Sequence, residues 1–313
     1  MKALRKAFSL IELLVVIGII AMLMSVIGVA AGRVRLVGRN MQQAATIHAM
    51  SVGLELFEKD FGFYPASERL IFGSGYVDGA QQLAEGLVGR DSAGVEKTSG
   101  FYVYNKEAAE IAAPDSTYYD SEEQKSLNNR KGPYFDLNRQ GINAVELSQL
   151  YDNTGQLYTV NYDTATNYLR APVFADCYRM KKITDENGRV FQAGSPILYF
   201  RYNNAGKYFK EIDSDWEAMD EDACKDSYYN YYDNYDFFNL ECLRIDNIDK
   251  THRFQDGDAD GNGISGKTEF YEFITSRTVG GYDMCTNRGT FIIISAGNDG
   301  LYGTKDDITN FDN

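Results

Sequence analysis

The sequence predicts an α+β protein: a long amino-terminal α-helix packed on a small antiparallel β-sheet head with long loops. Three observations carry that prediction. An apolar run from Leu13 to Ala31 passes without a break into a helical stripe ending at Phe61. From Gly132 onward, short β-branched and aromatic runs recur between turn residues. Beyond the helix, a chain of 313 residues leaves ample length for a hydrophobic core, and no internal repeat divides it.

The helix comes first. Lys2, Arg5 and Lys6 precede it, and within Leu13–Ala31 only Ser25 is clearly polar. At about 1.5 Å per residue the run covers roughly 28 Å, close to the hydrocarbon thickness of a bilayer. The first half of the helix, residues 8–32, is therefore expected to be transmembrane. Glu12 is the ionisable group at its start, and a charge there needs a partner in lipid. Past Gly32, Val37, Met41, Ala44, Ile47, Met50, Leu54, Phe57 and Phe61 recur at steps of three and four, one apolar face of an amphipathic helix over 33–61. Gly62 and Pro65 end it. His48, on this helix without a Cys or carboxylate constellation, reads as packing.

Ala7-Phe8-Ser9-Leu10-Ile11-Glu12 resembles the cleavage and methylation signal of type IV prepilins and type II secretion pseudopilins. The resemblance implies a leader of residues 1–7, cut by a prepilin peptidase between Ala7 and Phe8, with methylation of the new amino terminus at Phe8. It implies that Glu12 pairs with the amino-terminal amine of a neighbouring subunit during assembly. Ala7 stands where Gly is commoner, and its small side chain still suits cleavage. A secretory signal peptide or a plain signal anchor is the other reading; a signal peptide has a shorter apolar region, an A-x-A-like exit and no glutamate. Arg33, Arg35 and Arg39 offset the basic leader, so charge alone barely sets orientation. The resemblance sets it: a single-pass protein of the inner (cytoplasmic) membrane, with residues 33–61 and the head, 62–313, in the periplasm or outside the cell. FEKDFGFYP, Phe57 to Pro65, also resembles a pseudopilin helix-to-head junction.

In the head, Ala80–Val88 reads as a short helix stopping near Gly89, and residues 90–132 as polar loop with a helix around Lys106–Ala112. Strands are predicted at 156–160, 172–176, 197–202 and 290–295, the last placed centrally, with turns at Asn187-Gly188 and Asn203–Gly206. The segment SYYNYYDNYDFF, 227–238, has two readings: a contact surface, or a lobe with half-buried rings and wet hydroxyls. Under the first, replacing Tyr228 and Tyr229 by Ser impairs assembly without unfolding the head.

Two acidic loops suggest calcium. Asp258, Asp260, Asn262, Gly263 and Glu269 stand at positions one, three, five, six and twelve of an EF-hand spacing, with Ile264 one place earlier than the usual apolar anchor. The stretch SAGNDGLYGTKDDI, 295–308, resembles the carboxy-terminal loop of the major type II secretion pseudopilin, which binds calcium and ties the last strand to the sheet. That resemblance makes Asp299, Asp306 and Asp307 the side-chain candidates, with Ser295 beside them. Both loops are also readable as solvated acidic turns.

The four cysteines, Cys177, Cys224, Cys242 and Cys285, contain no CxxC pair. Outside the cytoplasm they allow two disulfides, with Cys224–Cys242 favoured by loop closure; buried free thiols are the alternative. With 45 acidic against 31 basic residues the formal charge is −14, which disfavours nucleic acid as a ligand. No nucleophile elbow, phosphate-binding glycine loop or zinc-protease motif occurs, so no enzyme activity is expected. The resemblance implies a structural subunit of a pseudopilus or type IV pilus-like filament, with itself, other pseudopilins, the peptidase and an inner-membrane assembly platform as partners. The large head raises a minor tip subunit as an alternative, against which Glu12 counts. A membrane-anchored calcium-dependent binding protein exported by the same route is the other.

Overall fold

The computed structural model describes residues 10–72, 75–89, 94–96, 128, 130–137, 142–157, 172–184, 188–209, 221–257, 263–279 and 282–311, with backbone alone at 26–30, 71–72, 96, 223, 278–279 and 282. The chain divides into two compact units, Met1–Gln42 and Gln43–Asn313. Helix α1 runs through Leu10–Phe61. In the first unit its side chains are largely exposed, with Leu10, Ile11 and Met22 each more than 70% accessible. Among the described residues no helix is long and apolar enough to cross a membrane.

The second unit contains β1 (Leu70–Phe72), β2 (Gly75–Val77), α2 (Gly79–Val88), β3 (Val95–Glu96), β4 (Arg130–Lys131), β5 (Asn143–Val145), α3 (Leu147–Leu150) and β6 (Val173–Ala175). There follow β7 (Lys181–Thr184), β8 (Val190–Ala193), β9 (Leu198–Arg201), α4 (Glu221–Cys224), α5 (Tyr235–Phe238), α6 (Gly266–Phe273), β10 (Thr275–Val279), β11 (Tyr282–Cys285), β12 (Phe291–Ser295) and β13 (Ile308–Thr309). Every named pairing is antiparallel: five two-stranded ladders and one three-stranded sheet in the order β13-β12-β9. The run expected to be central, FIIIS, is central.

Side-chain alternation explains why that run carries no polar residue before Ser295. Phe291 and Ile293 of β12, with Tyr199 of β9, face Ile47, Met50 and Leu54 of α1 and Leu83 and Leu87 of α2 in one apolar cluster. Ile292 and Ile294, with Leu198 and Phe200, point the other way into a second cluster that includes Tyr229, Tyr231, Phe238 and Phe270. Successive strand residues face opposite sides, so a strand covered on both faces must be apolar throughout. The register agrees, with Ile293 opposite Tyr199 and Ile292 opposite Phe200.

One stripe of α1 is shorter than its periodicity suggested. Ile47, Met50, Leu54, Phe57 and Phe61 are buried, whereas Val37, Met41 and Ala44 are exposed. The first buried side chain of α1 among the described residues is Gln43, whose Oε1 accepts a hydrogen bond from the Cys177 backbone N–H at 3.1 Å. His48, expected to pack, is exposed as well. Of the predicted 156–160 strand, Leu157 forms an isolated bridge to Tyr76 and the remainder beyond it lies outside the described residues, as does the 106–112 helix.

The tyrosine-rich segment is the larger correction. Only part of it is the half-buried lobe: Tyr228, Tyr232 and Tyr235 are half-buried, but Tyr229 and Tyr231 are fully buried, and Phe237 and Phe238 join them. The ring of Tyr231 stacks on Phe238 at 5.3 Å, and its hydroxyl donates to the Phe254 carbonyl at 2.6 Å. Tyr229 donates to the Asn287 carbonyl at 2.6 Å. Satisfied hydroxyls let these rings fill the second face of the sheet without orphaned polar atoms.

Helix α2 is pinned at its start. The Asn234 side chain accepts from the Ala80 N–H at 2.9 Å and donates to the Tyr199 carbonyl at 2.7 Å, joining α2 to β9. A Cβ on Gly79 would lie 2.2 Å from that carbonyl, so only glycine allows the approach. The helix ends at Gly89, at φ 82°, as its sequence suggested. Nearby, the Arg69 guanidinium meets Asp236 at 2.7 Å, Glu221 at 3.1 Å and Asp78 at 3.7 Å, and lies 3.5 Å over the Tyr76 ring.

Burial separates two adjacent tyrosines. Tyr229→Ser empties a fully buried ring site and is expected to cost about 3–5 kcal/mol. Tyr228→Ser removes a partly exposed ring stacked on Tyr202 and is expected to cost about 1 kcal/mol. Denaturant unfolding of the two variants checks the order.

Candidate functional sites: the amino-terminal signal and the carboxy-terminal loop

Glu12 lies in the first turn of α1 and is exposed. A carboxylate there complements the positive end of the helix dipole. Ala7 and Phe8 lie outside the described residues. Following Glu12, the side chains from Leu13 to Met24 present an uninterrupted apolar surface.

At the other end, residues 296–307 close the β12–β13 hairpin, whose pairs are Ile294 with Thr309 and Ser295 with Ile308. The loop folds on its own carboxylates. Asp306 Oδ2 accepts from the Asp299 N–H at 2.9 Å, Asp299 Oδ1 from Leu301 N–H at 2.8 Å, and Asp307 Oδ2 from Gly303 N–H at 2.8 Å. Thr304 Oγ1 donates to Asp306 Oδ1 at 2.6 Å. Gly297, at φ 64°, sits where a Cβ would meet the Asp306 carbonyl at 2.2 Å. The sequence-predicted Asp299, Asp306 and Asp307 are thus brought into one loop. Burial, joined by the Asp306 charge, raises Asp299 to about 6, and burial, joined by both neighbours, raises Asp307 well above the usual range. Ser295 does not join them; its hydroxyl donates to Asp176 Oδ2 at 3.1 Å.

Three side chains hold the loop from outside: Arg244 and Asn247, which the sequence did not single out, and Cys242, singled out only for a disulfide. Arg244 Nη1 donates to the Asn298 carbonyl at 2.5 Å and Asn247 Nδ2 to the Asp299 carbonyl at 2.8 Å. The Cys242 thiol lies 3.5 Å from the carbonyls of Asp299 and Gly300. No pattern around these residues signals the role, because the contact is made about fifty residues away in sequence.

The second acidic loop is mostly outside the described residues, which omit Asp258, Asp260 and Asn262. Glu269 is described. It sits in the first turn of α6, capped by the Ser265 hydroxyl, and its Oε1 meets Arg253 Nη2 at 2.7 Å. Among the described residues, no group of three or more His, Cys, Asp or Glu side chains is set to hold a metal ion. A calcium ion at the carboxy-terminal loop would therefore need backbone or water oxygens besides its carboxylates, a mixture calcium accepts.

The cysteines depart from the favoured pairing. Cys177, Cys224, Cys242 and Cys285 are all buried as thiols, and the Cys224–Cys242 disulfide is not made. Cys242 is turned to the 299–300 carbonyls, while Cys224 ends α4, its carbonyl accepting from Ser227. Two separate packing environments hold the sulfurs.

A comparison with known families matches the prokaryotic N-terminal methylation motif to residues 2–28. The motif makes this amino-terminal segment similar to that of type IV prepilins, and it implies membrane-anchored export. No curated protein and no solved structure gives a match.

Buried titratable groups make stability depend on pH, Asp176, Asp233 and His252 among them. Burial lifts Asp176 and Asp233 to about 7 each, although both carboxyls accept a serine hydroxyl, from Ser295 and Ser67. The folded state then binds more protons than the unfolded one above about pH 4, so stability falls as pH rises toward 7. His252, held neutral by burial and lowered to about 4, acts oppositely between about pH 4 and 6.5. Two carboxyls outweigh one imidazole. The melting temperature is expected to be lower at about pH 7.5 than at about pH 5, and Asp233→Asn to reduce that difference. Thermal scans of the purified chain at the two pH values measure both.

Proposed function

We propose that the chain is a structural subunit of a type II secretion pseudopilus or a type IV pilus-like filament. The single observation that carries this is the methylation motif over residues 2–28, leading directly into one long helix. In this reading a prepilin peptidase cleaves between Ala7 and Phe8, Phe8 is methylated, and residues 8–32 anchor the protein in the inner membrane. The exposed apolar side chains from Leu13 to Met24 support it, since such a surface is stable only in lipid or against other helices. Glu12 neutralises the amine of a neighbouring Phe8 during assembly, which offsets the cost of a carboxylate in lipid. The head faces the periplasm or the exterior and works without catalysis; its partners are further copies, other pseudopilins and the assembly platform. Calcium at the carboxy-terminal loop, through Asp299, Asp306 and Asp307, relieves their mutual repulsion.

A second reading keeps the export route but makes the head a calcium-dependent binding protein. Its support in sequence was the tyrosine-rich segment, and the burial of Tyr229 and Tyr231 weakens it. A minor tip subunit is disfavoured by the presence of Glu12.

The intact mass and amino-terminal peptide of the membrane-extracted protein test the first step. A chain beginning at methylated Phe8 is expected; one beginning at Met1, or cut near Gly32, overturns it. Glu12→Ala is expected to abolish filament incorporation while leaving membrane insertion intact, read by fractionation. For the calcium step, a chelator is expected to lower the melting temperature of the wild-type chain and to leave an Asp299→Asn/Asp307→Asn variant unmoved. An unchanged wild-type transition removes calcium from the reading.

A further inference from the structure

A groove of about 710 Å³ lies between α1 and the edge of the β-sheet. Ala44, His48, Ser51 and Glu55 form its helical wall, and Thr290 and Thr309 stand opposite. These hydroxyls have already committed their hydrogens. Ser51 donates to the Ile47 carbonyl at 3.0 Å, Thr290 to the Asn287 carbonyl at 3.0 Å, and Thr309 to the Phe311 carbonyl. What they offer the groove is lone pairs. Glu55 adds a carboxylate, which only accepts, and no Lys or Arg is among the described lining residues. Such a lining, with a carboxylate and no Lys or Arg among its described residues, suits an occupant that brings positive charge.

The same helix supplies one. Arg33 is exposed, in a chain of formal charge −14. It and Glu55 are 22 positions apart in the sequence. Val34, Val37 and Met41 around Arg33 are also exposed, at 70, 57 and 69%. Packing against a second helix would remove that apolar area from water.

We propose that this groove is a docking site for a second copy of the chain, which places its Arg33 guanidinium against Glu55 and the groove hydroxyls. The two α1 helices run parallel, displaced by roughly 30 Å along their axes. The contact is heterologous, because each copy gives its Arg33 region to one neighbour and its groove to another. Contacts of that kind propagate into an open filament rather than a closed dimer. Arg35, two residues on, projects about 200° away from Arg33 and takes no part.

The inference rests on the self-assembly reading above, and charge reversal separates the two. Multimers of the full-length chain are trapped with formaldehyde in membranes and counted on denaturing gels. Wild-type ladders are expected, with at least a five-fold loss for Arg33→Glu and for Glu55→Arg, recovery in the double reversal, and little change for Arg35→Glu. Wild-type ladders that survive both single reversals, or that the double reversal fails to restore, overturn the groove contact alone. Absence of ladders from the wild type overturns the contact and the assembly reading together. Circular dichroism of each variant excludes loss of the fold as the cause.

Discussion

The β9–β12 strand pair must be covered on both faces, and the rest of the head follows from that requirement. Two strands carrying Ile292, Ile293, Ile294, Leu198, Tyr199 and Phe200 expose large apolar area on each side. One cover comes from the carboxy-terminal part of α1 together with α2. The other comes from the tyrosine-rich segment with α6. Asn234 links the two layers across the sheet edge, accepting from α2 and donating to β9. Buried tyrosine hydroxyls trapped by such layering find carbonyl acceptors: Tyr199 donates to the Pro65 carbonyl, and Tyr302 to that of Pro196.

Placing Arg69 among Asp78, Asp236 and Glu221 puts one cation against three carboxylates near the start of α2 and the start of α5. Burial raises both Asp78 and Asp236, and the Arg69 charge works against that rise. The arrangement specifies how β1, α2 and the tyrosine-rich segment meet, more than it adds net stability, since desolvation offsets much of the Coulomb gain. A similar economy governs the carboxy-terminal loop, whose backbone is held by Arg244 and Asn247 on one side and by its own aspartates on the other.

The parts legible in the sequence were those with a local signal. Helix α2 has its glycine stop at Gly89, and β12 has four apolar residues in a row. The amino-terminal motif is specific because it combines a small residue at position 7, an aromatic at 8 and a glutamate at 12 ahead of an apolar run. Long-range partners decided the remainder. Helical periodicity continued through Val37 and Met41, yet the buried stripe starts only where Cys177 and β9 arrive. In 227–238, alternating Tyr, Asn and Asp read as a contact surface or a half-buried lobe. Tyr229 and Tyr231 are interior because carbonyls of Asn287 and Phe254, remote in sequence, accept their hydroxyls. For Cys242, proximity in sequence to Cys224 suggested a bridge, while the fold turned it to Gly300.

The way α1 joins the head has a mechanical consequence. Ile47, Met50, Leu54 and Phe57 span almost three helical turns, and each is locked between side chains of the sheet, α2 or the 134–135 segment. A pull along the helix axis loads all of these contacts at once, in shear. A sideways pull would instead load them one after another, as in a zipper. Many small dispersion contacts failing together resist far more force than the same contacts failing in sequence. The joint is therefore strongest in the direction in which a stacked assembly would be stretched.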